Sequence, residues 1–182
     1  MLGQYATIQA IRTVTESPRT VFSVRGLARS AGISPSAAST AFRFMHDRNM
    51  VSSQAAGRTF QFHADTGNAL CRQWKLLFNL EALHRARTVA EITSKTSGTQ
   101  CVLLYGSMGR GTNDPKSDFD LLVIAATKPA ANWKFMQKLP AEANLSVYTP
   151  REWTQKARTD RVFYENIIYD AIVLYGERPV VL

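Results

Sequence analysis

The stretch that most constrains this chain is residues 102 to 123, VLLYGSMGRGTNDPKSDFDLLV. The apolar run Val102 to Tyr105 has β character and delivers the chain into Gly106-Ser107. A polar loop carrying Gly109, Gly111 and Pro115 follows, and a second β-type run, Phe119 to Ile124, opens beside two acids. Asp118 and Asp120 are two positions apart, so on an extended strand their carboxylates share a face. Such a pair can hold one divalent cation or share two, and Mg²⁺ commonly takes one or two carboxylates along with substrate phosphates and water. Glycine at 106 lets backbone approach a phosphate closely, and Ser107 adds a hydroxyl and an N–H. Free N–H groups of a helix or turn beginning there would add to an anion site. The pattern predicts a hairpin-like unit in which a phosphate cradle faces a pair of metal-binding acids.

Read in order, the string is G-S-x-x-R-G, a spacer, then S-D-x-D-L, with ten residues between Ser107 and Asp118. Gly106, Ser107, Arg110, Gly111, Ser117, Asp118, Asp120 and Leu121 occupy these positions. Each fragment alone is weak, since Gly-Ser after a strand is usually a turn and Asp-x-Asp is often a solvated face or a turn-side pair. Jointly, each on the element it needs, they resemble the signature of the nucleotidyltransferase superfamily that includes DNA polymerase β, particularly its small bacterial and archaeal members. The resemblance implies an α/β (α+β) domain with a mixed sheet flanked by helices. Asp118 and Asp120 would be the catalytic, metal-binding acids, Gly106 and Ser107 would hold the β- and γ-phosphates, and Arg110, Lys116 and Ser117 would complete the nucleotide site. It further implies Mg²⁺ (or Mn²⁺) as cofactor, a nucleoside triphosphate as substrate or ligand, and transfer of a nucleoside monophosphate to a hydroxyl. Active members usually carry a third acid on the strand after the pair. Here the corresponding run, Asn144 to Tyr148, has none, and Glu142, which shares strand parity with Asn144 and Ser146, follows Pro140. The alternative is therefore a weak or inactive transferase domain in a transcriptional regulator or, on resemblance alone, an antitoxin.

Residues 1–66 read as a separate helical unit. Tyr5, Ile8, Ile11 and Val14 recur at three-residue spacing, which predicts a helix over Gln4 to Thr15 ended by Ser17-Pro18. A second helix, about Ser23 to Ala31, buries Val24, Leu27 and Ala28 and stops at Gly32. Ser34-Pro35 starts a third as N-cap and first helical proline, with Ala38, Ala41, Phe42 and Met45 inward and an end near Arg48. Two helices joined by so short a turn make a helix-turn-helix. Met50-Val51, a turn-like Gln54-Ala55-Ala56-Gly57-Arg58, and the alternating Thr59 to His63 form a hairpin around a basic turn. The segment, with R-x-L-A-R-x-A-G-I-S before it, resembles the winged helix-turn-helix domains of prokaryotic regulators. In such domains Ser36, Ser39, Thr40 and Arg43 of the third helix reach base edges in the major groove of double-stranded DNA. Arg25 and Arg29 would touch phosphates, and Arg58 at the wing tip would meet backbone or minor groove. Charge agrees: these residues carry seven arginines (12, 19, 25, 29, 43, 48 and 58) against Glu16, Asp47 and Asp65. The whole chain has a formal charge of +8, which suggests a polyanionic partner.

Thr66-Gly67-Asn68 is the expected boundary, placing the transferase-like domain over 67–182. One long helical pattern, about 69–94, carries Leu70, Trp74, Leu77, Leu80, His84 and Ala90 near one stripe; it would connect the domains and would also suit a homodimer. After Ile124 the pattern predicts a helix over Ala130 to Leu139, a strand over Asn144 to Tyr148, a helix opened by Thr149-Pro150, and a strand-like Ala171 to Tyr175. No apolar run approaches the roughly 20 residues of a membrane span, so no membrane partner is expected. Cys71 and Cys101 have no metal or disulfide spacing and read as buried thiols in a reducing cytoplasm.

Overall fold

The second half is built around a four-stranded sheet. Its strands are β4 (Cys101–Tyr105), β5 (Phe119–Ile124), β6 (Ala143–Tyr148) and β7 (Ile172–Gly176), within a computed structural model that describes residues 5–57, 59–129 and 132–181. β4 pairs antiparallel with β5 and β7, while β5 and β6 run parallel, so the sheet is mixed. The chain divides into two units, the first reaching to Phe78 and the second starting at Asn79.

In the first unit, α1 (Ala6–Glu16), α2 (Val24–Ala31) and α3 (Pro35–His46) pack with a three-stranded antiparallel sheet. That sheet has the order β1-β3-β2, from β1 (Phe22–Ser23), β2 (Val51–Ala56) and β3 (Thr59–Ala64). Local chemistry sets the helix ends. Ser23 accepts the Gly26 N–H at 3.0 Å, Gly32 closes α2 at φ 65°, and Ser34 accepts the Ala37 N–H at 3.2 Å with Pro35 behind it. Ala38, Ala41, Phe42 and Met45 all face the core, with Ile11, Val14, Leu27 and Phe62. Arg58, expected at the tip of the β2–β3 hairpin, lies outside the described residues.

The long helical pattern is two helices rather than one, α4 (Ala69–Arg85) and α5 (Thr88–Lys95). Arg87 sits between them in the left-handed region at φ 58°. Cys71 and Phe78 of α4 enter the first core with Trp74 against it, Leu83 is buried farther along the same helix, and Ile92 is buried on α5.

The helix expected over Ala130 to Leu139 is also absent, replaced by a single 3₁₀ turn at Met136–Lys138, with Ala130 and Ala131 outside the described residues. Glu91 is the reason. Its carboxylate accepts the Lys134 and Phe135 N–H groups at 2.7 and 2.8 Å, diverting donors that a helix would have used.

The remaining helices are α6 (Gly106–Arg110), α7 (Pro150–Thr159) and α8 (Arg161–Asp170). α7 begins with a capping box between Thr149 and Glu152. One sheet face, Cys101, Leu103, Leu122 and Ile124, packs on Trp153, Tyr164 and Ile167 of α7 and α8. Val102, Leu104, Leu121 and Val123 on the opposite face are fully buried. Among the described residues no helix is long and apolar enough to cross a membrane.

Candidate active site

β4 ends at Tyr105, and the next residue turns the backbone sharply, with Gly106 at φ 69° opening α6. Only glycine adopts this conformation without strain. The turn also needs glycine for space: a Cβ at 106 would lie 2.5 Å from Asp120 Oδ2. The Asp120 carboxylate therefore lies directly against the Gly-Ser bend, as the hairpin pattern predicts. β4–β5 pairing opposes Tyr105 to Asp120, and Asp118 stands one residue before β5 on the same side.

Asn144 closes the group from the neighbouring strand. It pairs with Asp120 in the parallel β5–β6 register, and its Nδ2 donates to Asp120 Oδ1 at 3.2 Å and Asp118 Oδ2 at 3.4 Å. Glu142 takes no part in this cluster: it precedes β6, is exposed, and contributes its carbonyl to the Phe119 N–H at 2.8 Å. Among the described residues no three His, Cys, Asp or Glu side chains are grouped to hold a metal. Tyr105 lies beside the acids, its pKa raised by burial first and then by the Asp120 charge, with a hydrogen bond to Ser146 partly opposing the rise. It stays a neutral phenol.

The other expected nucleotide residues divide. Ser107 is half-buried at the start of α6, its hydroxyl making no hydrogen bond among the described residues, while its carbonyl accepts the Thr112 N–H at 3.0 Å. Ser117 is committed to a turn, accepting the Asp114 N–H at 2.9 Å and donating to Asp114 Oδ1 at 3.2 Å. Lys116 extends exposed from that turn. Arg110 faces Asp170 of α8 at 3.8 Å.

Asn79 was not singled out by sequence, yet it fixes the loop. Its buried Nδ2 donates to Met108 O at 2.9 Å and Asn113 Oδ1 at 3.1 Å, tying α6 and the following loop to α4. A lone asparagine in an amphipathic helix carries no signal for such a role. Gly109 supports the packing, since a Cβ there would come 2.9 Å from Leu104 O.

In the first unit, Ser36, Ser39, Thr40 and Arg43 share one side of α3, opposite the buried stripe. Ser36, Thr40 and Arg43 are exposed and Ser39 half-buried, while Arg25 and Arg29 are exposed on α2.

A mixed sheet with a Gly-Ser turn apposed to an Asp-x-Asp strand defines the nucleotidyltransferase class of fold, and direct comparison agrees. The family model described as "Polymerase beta, Nucleotidyltransferase" matches residues 87–179, just over half of the chain. The chain belongs to that family. A solved structure, "Crystal structure of the toxin-antitoxin with AMP-PNP", is similar at 23% identity with a TM-score of 0.38, covering 50% of this chain and 72% of that one. No curated protein matches.

The donor set fits a divalent cation. Two carboxylates converge beside a bend kept open by glycine, and hard cations such as Mg²⁺ favour oxygen ligands of this kind.

Proposed function

We propose that this protein binds double-stranded DNA through its first unit, a winged helix-turn-helix, and holds a nucleoside triphosphate with Mg²⁺ or Mn²⁺ in its second. The observation that carries the nucleotide assignment is the apposition of Asp120 to Gly106, where the space for a Cβ is already taken by the carboxylate. In this reading Asp118 and Asp120 hold the cation, which when bound neutralises charge on the phosphates. Ser107 and the backbone N–H groups of the Gly-Ser bend receive phosphate oxygens, and Lys116 supplies positive charge from the loop. Transfer joins an acceptor hydroxyl oxygen to the α-phosphorus, releases pyrophosphate, and gives the hydroxyl proton to solvent. Asn144, as an amide, cannot accept that proton as a carboxylate could.

The amide at 144 favours a second reading, a DNA-binding regulator whose transferase-like domain senses nucleotide and turns it over slowly. Labelled nucleoside triphosphates with Mg²⁺ or Mn²⁺ separate the two. The enzyme reading requires label transfer that disappears in Asp118→Ala with Asp120→Ala, and absence of turnover with every nucleotide and acceptor removes it. For the first unit, a duplex from the upstream region of its own coding sequence should bind with steep salt dependence. Arg43→Ala should weaken it and lower the log–log salt slope by roughly 0.9 if that arginine neutralises one phosphate. Binding indifferent to salt contradicts the assignment.

A further inference from the structure

Asn144 stands against both acids of the site. Because β6 runs parallel to β5 in register, residue 144 is presented directly beside Asp120, and its amide bridges both acids. Two carboxylates offer only acceptors, so it is the NH₂ end of the amide that they attract. An acid at this position would instead crowd three anions together, an arrangement that cations must relieve. The amide leaves the cluster with the two carboxylates of Asp118 and Asp120 and adds no charge of its own.

Two divalent ions roughly 3.5–4 Å apart repel strongly and need anionic ligands on both the attacking and leaving sides. A triphosphate supplies ligands to the ion it arrives with. An ion beside the acceptor hydroxyl meets that triphosphate only at the reacting phosphate and draws its other anionic ligands from protein carboxylates. Asn144 supplies none.

We propose that Asn144 makes this a one-cation site, in which the domain retains a nucleoside triphosphate with a single divalent ion and its output is occupancy rather than product. The proposal rests on the nucleotide reading above and deepens it. Half a turn about the last side-chain torsion of Asn144 exchanges Nδ2 for Oδ1, so the same residue bridges the acids without the ion and faces the ion as a neutral ligand when it is bound. No movement of β6 is needed.

The test is equilibrium dialysis of the full chain with radioactive Mn²⁺ and a labelled, non-hydrolysable nucleoside triphosphate, counting both labels on the protein. One Mn²⁺ per bound nucleotide is expected for the wild type and for Asn144→Ser. Two are expected for Asn144→Asp, with pyrophosphate release from a hydrolysable nucleotide rising at least about tenfold. A wild-type ratio of two overturns the proposal, as does an Asn144→Asp protein that binds nucleotide yet stays at one. If the wild type retains no nucleotide at all, the nucleotide reading itself fails, an outcome distinct from a wrong cation count.

Discussion

Replacing Gly106 with alanine tests the geometry of the site at its tightest point. The residue holds φ 69°, and an added Cβ would fall 2.5 Å from Asp120 Oδ2 and 3.5 Å from its Cγ. Holding an alanine in the left-handed region costs about 1–2 kcal/mol. Rotating the Asp120 carboxyl out of the way adds about 0.5–1.5 kcal/mol for an unfavourable torsion. The sum, about 1.5–3.5 kcal/mol, corresponds to a melting shift of roughly 3–14 °C by calorimetry. Gly32→Ala is the control, because that glycine has φ 65° with nothing within 4 Å of an added Cβ. It should show the backbone cost alone, about 1–2 kcal/mol. On the proposed reading only Gly106→Ala should also weaken Mn²⁺ binding, since only there is the Asp120 carboxylate displaced. Equal destabilisation in both variants with Mn²⁺ affinity unchanged would refute the placement of Asp120 over the bend.

Two further outcomes follow from the scaffold. Asn79→Ala removes the donor serving Met108 O and Asn113 Oδ1 and should cost about 1–3 kcal/mol in urea unfolding, together with weaker nucleotide binding through a loosened loop. Glu91 gives the pH dependence. Burial pushes its pKa up, but hydrogen bonds from Lys95, Lys134 and Phe135 outweigh this and hold it below its ordinary 4.5. Its contribution is therefore complete above that value and lost as pH falls through the lower, folded one. Thermal unfolding of wild type and Glu91→Gln should differ near neutral pH and converge as pH falls below 4.5 through the lowered, folded-state value.

The strand pair and its acids were legible because their signal is local. β4, the turn at Gly106 and β5 lie within a single short stretch, and period-two spacing fixes the face that Asp118 and Asp120 share. Helix caps at Ser23, Gly32 and Ser34 were readable for the same reason. What sequence missed depends on partners far along the chain. The break at Arg87, held in the left-handed region, carries no composition signal, and the missing helix near 135 reflects capture of backbone donors by Glu91, forty-four residues from Phe135. α8 went unread although Asp160 caps it through the Phe163 N–H at 3.1 Å and Phe163, Tyr164, Ile167 and Ile168 follow helical spacing. The roles of Asn79 and Asn144 are also non-local, fixed by contacts to Met108 and by the β5–β6 register.

The most direct measurement is titration of the full chain with a fluorescent nucleoside triphosphate, with and without Mg²⁺. Binding should require the cation and weaken at least about tenfold when Asp118→Asn and Asp120→Asn are combined, with DNA binding and the circular dichroism spectrum unchanged. Nucleotide affinity that ignores both the cation and the loss of the two acids would contradict the account.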